Sequence, residues 1–190
     1  MTDKYGAGGD TRYCYPGSDI LINKLGLTDA AALETAEVEL TLARIEQFKP
    51  DFNNISLSAL RDIHRFLFQD LYGWAGEFRT VDISKGSTRF ANVNRVEPEA
   101  NNLFRQMAQE NHLLELPRER FIARLAHYYC ELNVIHPFRD GNGRTQRLLF
   151  EVIGINAGYV LDWELVSQSE WLEANLNALP QQAGSAYRTL

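Results

Sequence analysis

Apolar side chains recur at helical spacing over most of the chain, and this pattern predicts a bundle of α-helices. Thr28 is a suitable cap for a first helix over residues 29–48. The side chains expected to point inward from this helix are Leu33, Val38, Leu42 and Ile45. A second helix is predicted over residues 57–72, with an inner face of Leu57, Leu60, Ile63, Leu67 and Leu71.

Residues 73–96 carry a different pattern. Strand-forming side chains are frequent there, namely Phe78, Thr80, Val81, Ile83, Thr88, Phe90 and Val93. Between them lies the segment Ser84-Lys85-Gly86-Ser87, which is typical of a turn, so a β-hairpin is predicted over about residues 78–94. Because an isolated hairpin is marginally stable in water, this one must pack on the helices or wait for a partner.

Helical spacing returns in the second half of the chain. Pro98 suits the first position of a helix whose inner face would be Leu103, Met107 and Leu114. Pro117 starts another helix, ending near Leu132, with an apolar stripe of Phe121, Leu125, Tyr128 and Leu132. A further helix is predicted over about residues 142–157, ending at Gly158, and a last one near 168–178. The fold class is therefore all-α with one small hairpin, in a single domain over residues 1–190 that begins with an N-terminal arm over 1–28.

Composition narrows the classes of function. The chain has 19 Lys and Arg residues against 25 Asp and Glu residues, which gives a net charge of −6. An acidic chain is a poor general binder of nucleic acid, although a local basic patch is still possible. Cys14 and Cys130 form no CxxC pair, which argues against a Cys-ligated zinc site. The longest apolar stretch, residues 148–161, is too short to span a membrane. We therefore expect a cytoplasmic protein with reduced thiols and no direct contact with membrane or nucleic acid.

The candidate chemistry is concentrated in residues 136–147, which read HPFRDGNGRTQR. Pro137 disfavours the α region for His136, which places this histidine in a loop. Glycines that lead into a helix N-terminus, here Gly141 and Gly143, make an anion site because unpaired N–H groups point at the ligand. The side chains of Arg144 and Arg147 share one face of that helix and suit phosphate oxygens.

Two further groups complete the hypothesis. Asp140 at the mouth of an anion site makes sense if it holds a divalent cation that bridges phosphates, and His136 then serves as the proton acceptor. Each feature also has a structural interpretation: a histidine beside a proline is usually structural, Gly-Asn-Gly is usually a turn, paired arginines usually form a solvated face, and Asp140 suits the helix dipole. All of them together within twelve residues favour a phosphate site.

Residues His136 to Arg144, HPFRDGNGR, resemble the signature of the Fic domain, HPFx(D/E)GN(G/K)R, and Arg147 matches its extended form. The resemblance runs from about Tyr5 to about Asn177. It includes the Tyr72-Gly73-Trp74-Ala75-Gly76 stretch and the hairpin, which is called the flap in that family. The fold that it implies is a Fic-type helical bundle with one β-hairpin flap, which agrees with the pattern of apolar residues.

The resemblance implies a protein adenylyltransferase, which moves AMP from ATP to a Tyr, Ser or Thr hydroxyl. In that family His136 would be the general base, Asp140 would bind Mg²⁺ across the α- and β-phosphates, and Phe138 would anchor the loop in the core. The residues implied to bind the nucleotide phosphates are Gly141, Asn142, Gly143, Arg144 and Arg147. The flap would hold the target protein by strand addition.

Several alternatives stay open. One branch of the family is a kinase with Ala at position 141 and Lys at 143; this chain has neither change, which favours AMP over another transferred group. Lys85 and Gly86 are candidate contacts for nucleotide or target, and Phe90 is a candidate clamp, although a basic turn and a core aromatic explain them equally well. Trp171 and Asn175 are candidates beside the adenine, with core packing the favoured explanation for Trp171. A non-catalytic nucleotide-binding module is the rival class of function.

Many Fic proteins are silenced by a helix with the pattern (S/T)xxxE(G/N), whose Glu pairs with the second motif arginine, here Arg147. Ser169 with Glu173 and Thr35 with Glu39 have the spacing, but neither is followed by Gly or Asn. We therefore expect a separate small antitoxin protein to donate that Glu, as in a bacterial toxin–antitoxin pair. The family includes toxins that modify the DNA gyrase B subunit and topoisomerase IV, which makes these the target by analogy.

Overall fold

The computed structural model describes residues 11–86 and 88–163, and within them the chain is all-α with one hairpin, as predicted. The helices are α1 (Ala30–Gln47), α2 (Leu57–Phe68), α3 (Val93–Gln109), α4 (Arg118–Ile135) and α5 (Asn142–Asn156). A single 3-10 turn, Asn111–Leu113, joins α3 to α4. The helix predicted near 168–178, with Trp171, Asn175 and the Ser169–Glu173 pair, lies outside the described residues.

Helix α2 lies at the centre of the bundle. It packs against α1, α3 and α5, while α4 packs against α3 and α5. Ser56 caps its N-terminus, since the Ser56 hydroxyl accepts the Ala59 N–H at 3.1 Å. The apolar side chains that it buries include the predicted ones, Leu60, Ile63 and Leu67. Two of its buried side chains, His64 and Phe68, reach the loop between α4 and α5.

Helix α1 does not bury the face that its apolar pattern predicts. Its cap is Asp29 instead of Thr28, and Leu33 is buried as predicted. From the second turn onward the inward side chains are Glu37 and Thr41. The predicted inner residues are largely exposed, at 48% for Val38, 55% for Leu42 and 40% for Ile45. The physical reason is that Glu37 finds a cationic partner inside the bundle.

Helix α3 begins five residues before the predicted start at Pro98. Asn92 caps it by accepting the Asn94 N–H at 3.1 Å, and Pro98 lies inside the second turn. Proline is tolerated there because it removes only one helical hydrogen bond near the helix start. Leu103 and Met107 are buried as predicted, whereas Leu114 lies beyond the helix end.

The remaining elements follow the sequence more closely. Helix α4 buries Phe121, Tyr128 and Leu132 but continues three residues past the predicted end, to Ile135. Helix α5 ends at Asn156, two residues before Gly158, which has a positive φ of 84°. No described helix is both long enough and apolar enough to cross a lipid bilayer.

The hairpin is shorter than predicted. Strand β1 is Ser84–Lys85 and strand β2 is Thr88–Arg89, paired antiparallel. Ser84 and Lys85 therefore belong to a strand and not to the turn. Residues 11–28, predicted as an extended arm, lie against the core, where Tyr13 is buried and its hydroxyl is hydrogen-bonded to Thr80 at the base of the hairpin.

Candidate active site

The loop between α4 and α5 is buried and held from both ends. Phe138 is 1% exposed, as predicted for an anchor, and its ring stacks on His64 with 3.9 Å between ring centroids. Asn142 accepts the Phe138 N–H and donates to the Phe138 carbonyl, both at 2.8 Å. The Asn142 side chain therefore closes the loop, and only its backbone N–H faces the predicted phosphate site.

His64 supports the same loop through the backbone and was not singled out from the sequence. The Gly76 N–H donates to its Nδ1 at 2.8 Å, so the ring proton is on Nε2, which donates to the Asp140 carbonyl at 3.0 Å. Burial lowers the pKa of His64 to about 3, so the ring is neutral at pH 7. A polar residue within the apolar face of α2 was the signal that could have found it.

His136 caps the C-terminus of α4 in a left-handed conformation, with φ of 49° and ψ of 65°. Its Nδ1 lies 3.1 Å from the Asn133 carbonyl, which can only accept, so Nδ1 carries the proton and Nε2 carries the lone pair. Burial lowers the pKa of His136 to about 3. The ring is therefore neutral at pH 7, in the tautomer that a general base acting through Nε2 requires.

The start of α5 has the geometry of an anion site. Gly141, its N-terminal cap, has a φ of 78°, and a Cβ at this position would lie 2.4 Å from the Phe68 ring. Gly141 has no side chain that could accept a hydrogen bond from the N–H groups of the first turn. Gly143 is exposed to solvent. We call the first turn of α5, residues 141–144, the cradle. The N–H groups of residues 142–144 have no acceptor within the helix, and together with the helix dipole they favour a negatively charged ligand.

The two motif arginines, predicted to share one role, have different surroundings. Arg144 forms an ion pair with Glu37 and donates to the Thr41 hydroxyl at 3.1 Å. Glu37 is a buried carboxylate that also accepts a hydrogen bond from the Tyr72 hydroxyl, and Glu37 was not singled out from the sequence. Arg147, by contrast, has no ion-pair or hydrogen-bond partner within the described residues. Its Nη1 lies 3.9 Å from the position of a Cβ on Gly143, at the open side of the cradle.

Asp140 is the one carboxylate of the motif, and it is 5% exposed. Its Oδ1 accepts the Gly141 N–H at 2.6 Å. The described residues contain no cluster of three or more metal-ligating side chains. A single carboxylate beside a phosphate site nevertheless fits Mg²⁺, which commonly uses one or two carboxylates and completes its shell with phosphate oxygens and water.

Two hairpin residues were predicted as contacts for nucleotide or target. Lys85 and Gly86 are both exposed. Burial is the main cause of the lowered His136 pKa, and the charges of Arg79 and Lys85 contribute to it. Phe90, predicted either to clamp a target or to fill the core, stacks on the His136 ring with 3.9 Å between centroids.

Comparisons with known proteins agree with this geometry. Residues 54–153 match the model of the Fic/DOC family. The chain is 43% identical over 175 residues to a probable protein adenylyltransferase Fic of Escherichia coli K12, covering 92% of this chain and 87% of that protein. It is 38% identical to the protein adenylyltransferase VbhT of Bartonella schoenbuchensis, covering 90% of this chain and 36% of VbhT.

The solved structures that resemble it include the BepC effector of Bartonella tribocorum with bound AMPPNP. The TM-score is 0.82 at 26% identity, and the match covers 90% of each chain. A Fic domain of a Bartonella quintana effector with bound ADP matches with a TM-score of 0.81 at 29% identity, over 87% of this chain and 86% of that one. The chain belongs to the Fic/DOC family and is an enzyme of the adenylyltransferase class.

Proposed function

We propose that this chain transfers AMP from ATP to a Tyr, Ser or Thr hydroxyl of a target protein. The observation that carries the proposal is the neutral His136, with its lone pair on Nε2, one loop away from the cradle. The Nε2 atom accepts the hydroxyl proton while the hydroxyl oxygen attacks the α-phosphorus. The bond from that phosphorus to the bridging oxygen breaks, and pyrophosphate leaves.

The cradle and Arg147 supply the positioning and the charge that such a transfer needs. The backbone N–H groups at Asn142 and Gly143 bind phosphate oxygens, Gly141 lets the phosphate approach the backbone closely, and Arg147 binds the terminal phosphate. The relatives solved with AMPPNP and ADP support a nucleotide at this place. Arg144 contributes its remaining N–H groups, but its charge is already balanced by Glu37.

Asp140 is the residue that would hold Mg²⁺, which supplies charge neutralisation to the phosphates when bound. The Asp140 carboxylate is fixed by the Gly141 N–H, so the loop presents it with little freedom. An Asp140→Ala variant tests this role by a Mg²⁺ titration of the transfer rate. An unchanged Mg²⁺ dependence in the variant excludes Asp140 as the ligand.

The flap is the proposed docking place of the target. Its two strands, β1 and β2, pair antiparallel in the described residues, and a segment of the target would be held beside them by strand addition. By analogy with toxins of the family, the target proposed is a type II topoisomerase in the cytoplasm, the DNA gyrase B subunit or its topoisomerase IV counterpart. Lys85 and Gly86 at the tip are the residues proposed to contact target or nucleotide.

The decisive experiment uses purified protein, Mg²⁺ and ATP labelled at either the α- or the γ-phosphate, with bacterial lysate or purified gyrase B subunit as the acceptor. AMP transfer labels a protein band from α-labelled ATP only, and His136→Ala abolishes the band. His127→Ala, a histidine on α4 outside the loop, is the matched control. A band from γ-labelled ATP indicates phosphoryl transfer instead, and no band with either label indicates a non-catalytic module.

A small antitoxin is the proposed regulator, and it would place a Glu against Arg147. Val38, Leu42 and Ile45 form an exposed apolar stripe on α1, the helix whose inner face contacts Arg144. An antitoxin helix that covers this stripe would sit close to the cradle. Expression of the chain alone should arrest bacterial growth, and co-expression of a neighbouring small open reading frame should restore it. If the stripe is the docking face, Leu42→Asp restores the arrest in the co-expressing strain.

A further inference from the structure

Arg79 is a buried arginine just before the flap, and its side chain donates only to backbone carbonyls. Its Nε donates to the His136 carbonyl at 2.8 Å, and its Nη1 donates to the Val81 carbonyl at 2.8 Å. Its Nη2 donates to the carbonyls of Ala91 and, at 3.2 Å, of Ile135. The whole residue is 2% exposed.

These four carbonyls come from three places in the fold. Val81 lies in the segment that enters the flap, Ala91 lies in the segment that leaves it, and Ile135 and His136 end helix α4. The Arg79 backbone N–H adds a bond to the Pro137 carbonyl at 2.9 Å. One residue therefore joins both arms of the flap to consecutive carbonyls of the catalytic loop.

The His136 backbone needs such support. Its left-handed conformation is unfavourable for a non-glycine residue, and the following Pro137 adds a further restriction. The conformation is held on one side by the His136 N–H, which donates to the Leu132 carbonyl at 3.0 Å. On the other side it is held by Arg79 at the His136 carbonyl. Loss of the Arg79 bond frees the backbone that aims the imidazole.

An ordinary structural arginine would be expected to pair with a buried carboxylate, and the nearest one here does not fit. Asp82 lies 3.9 Å from the Arg79 Nη1, its side chain is 50% exposed, and its oxygens accept from Asn92 and Val93. The three nitrogens of the planar guanidinium instead donate hydrogen bonds to several carbonyl oxygens at once, a geometry that a lysine ammonium cannot reproduce.

We propose that Arg79 is a positioning residue that fixes the flap in register with His136, so that an acceptor hydroxyl held by the flap meets the Nε2 atom. The part of this proposal that concerns the acceptor rests on the proposed function. The expected signature is a loss of maximal transfer rate with unchanged ATP affinity, because the cradle is closed separately by the bonds between Asn142 and Phe138.

The test compares Arg79→Lys and Arg79→Gln with wild type in the full chain. The maximal rate of labelling from α-labelled ATP should fall about 10²-fold in both, the size expected for a displacement of about 1 Å at the reacting groups. The ATP concentration for half-maximal labelling should stay within threefold. Arg61→Lys is the matched control, because Arg61 contacts Gly76, Glu77 and Phe78 but makes no hydrogen bond to Val81, Ala91 or His136 in the described residues. It should label at the wild-type rate.

Amide hydrogen exchange gives a readout that is independent of activity. The Ala91 N–H, which donates to the Val134 carbonyl, should exchange at least tenfold faster in Arg79→Lys, whereas the Thr145 N–H, which donates to the Gly141 carbonyl of the cradle, should be unchanged. Equal acceleration at both amides, or none at Ala91, overturns the proposal, as does labelling within threefold of wild type. If wild type labels no protein, the proposed function fails, and the exchange at Ala91 still decides whether Arg79 fixes the flap.

Discussion

Replacement of Arg144 by Ala should destabilise the fold, whereas replacement of Arg147 by Ala should leave stability unchanged, although both changes reduce transfer. The reason is the buried Glu37, whose side chain is 2% exposed and pairs with Arg144. In Arg144→Ala this carboxylate keeps only the Tyr72 hydroxyl. Arg147 leaves no buried charge behind, since it has no partner in the described part of the chain.

The magnitude follows from the burial of the pair. Removal of one partner of a buried ion pair costs about 3–5 kcal/mol. We take about 3 kcal/mol, the lower end, because 22% of the Arg144 side chain stays exposed. For a chain of this size, 1 kcal/mol lowers the midpoint of thermal unfolding by about 2–4 °C, so the expected fall is about 6–12 °C. For Arg147→Ala the expected change is within about 0.5 kcal/mol.

Urea unfolding at pH 7 measures both values, with an unchanged slope as the check that only stability has changed. The double variant Glu37→Ala with Arg144→Ala should lose less unfolding free energy than the two single variants lose in total, because no unpaired charge is then buried. Equal stability of Arg144→Ala and Arg147→Ala would refute the reasoning. Strict additivity in the double variant would likewise show that the two side chains are not coupled.

Three further outcomes are expected. His136→Ala should lower the transfer rate by about 10²–10⁴-fold while equilibrium dialysis shows unchanged ATP binding; a rate within threefold of wild type contradicts the assignment. Gly141→Ala should cost about 2 kcal/mol or more in urea unfolding, because the new Cβ meets the Phe68 ring in a left-handed backbone. The pKa values of His64 and His136 are about 3 in the folded state against 6.5 ordinarily, so stability is complete above pH 6.5 and is lost as the pH falls. At pH 5 each should cost about 2 kcal/mol, and an unchanged stability between pH 7 and pH 5 contradicts both shifts.

The sequence predicts the conformation of the loop between α4 and α5 well because its signals lie within twelve consecutive residues. The glycines, the helix start and the order of charged side chains can be recognised without knowing the rest of the fold. The same holds for α4, whose apolar stripe and preceding Pro117 are local signals. Only the end of that helix was predicted three residues too early, because the helix continues to Ile135 and His136 caps it in a left-handed conformation.

The support of the loop could not be predicted in the same way. Glu37 and Arg144 are 107 positions apart, and hydrophobic spacing alone favoured the Val38 and Leu42 side of α1 over a charged residue. His64 and Arg79 donate hydrogen bonds to backbone carbonyls, and every residue has a backbone carbonyl. The type of the accepting residue is therefore not restricted, and the sequence does not reveal which residue accepts the bond. Only the tertiary arrangement shows that His64 reaches Asp140 and that Arg79 reaches His136.

The comparison of the two buried histidines shows why His136, and not His64, suits the proposed role of general base. Burial lowers the pKa of both to about 3, so the pKa does not distinguish them. Backbone groups do, because they select opposite tautomers. His64 accepts from Gly76 at Nδ1 and donates to Asp140 from Nε2, so both of its nitrogens are committed to the scaffold. His136 donates from Nδ1 to the Asn133 carbonyl, which leaves the lone pair on Nε2. The Asn133 carbonyl near the end of α4 therefore selects the tautomer that the proposed general base requires.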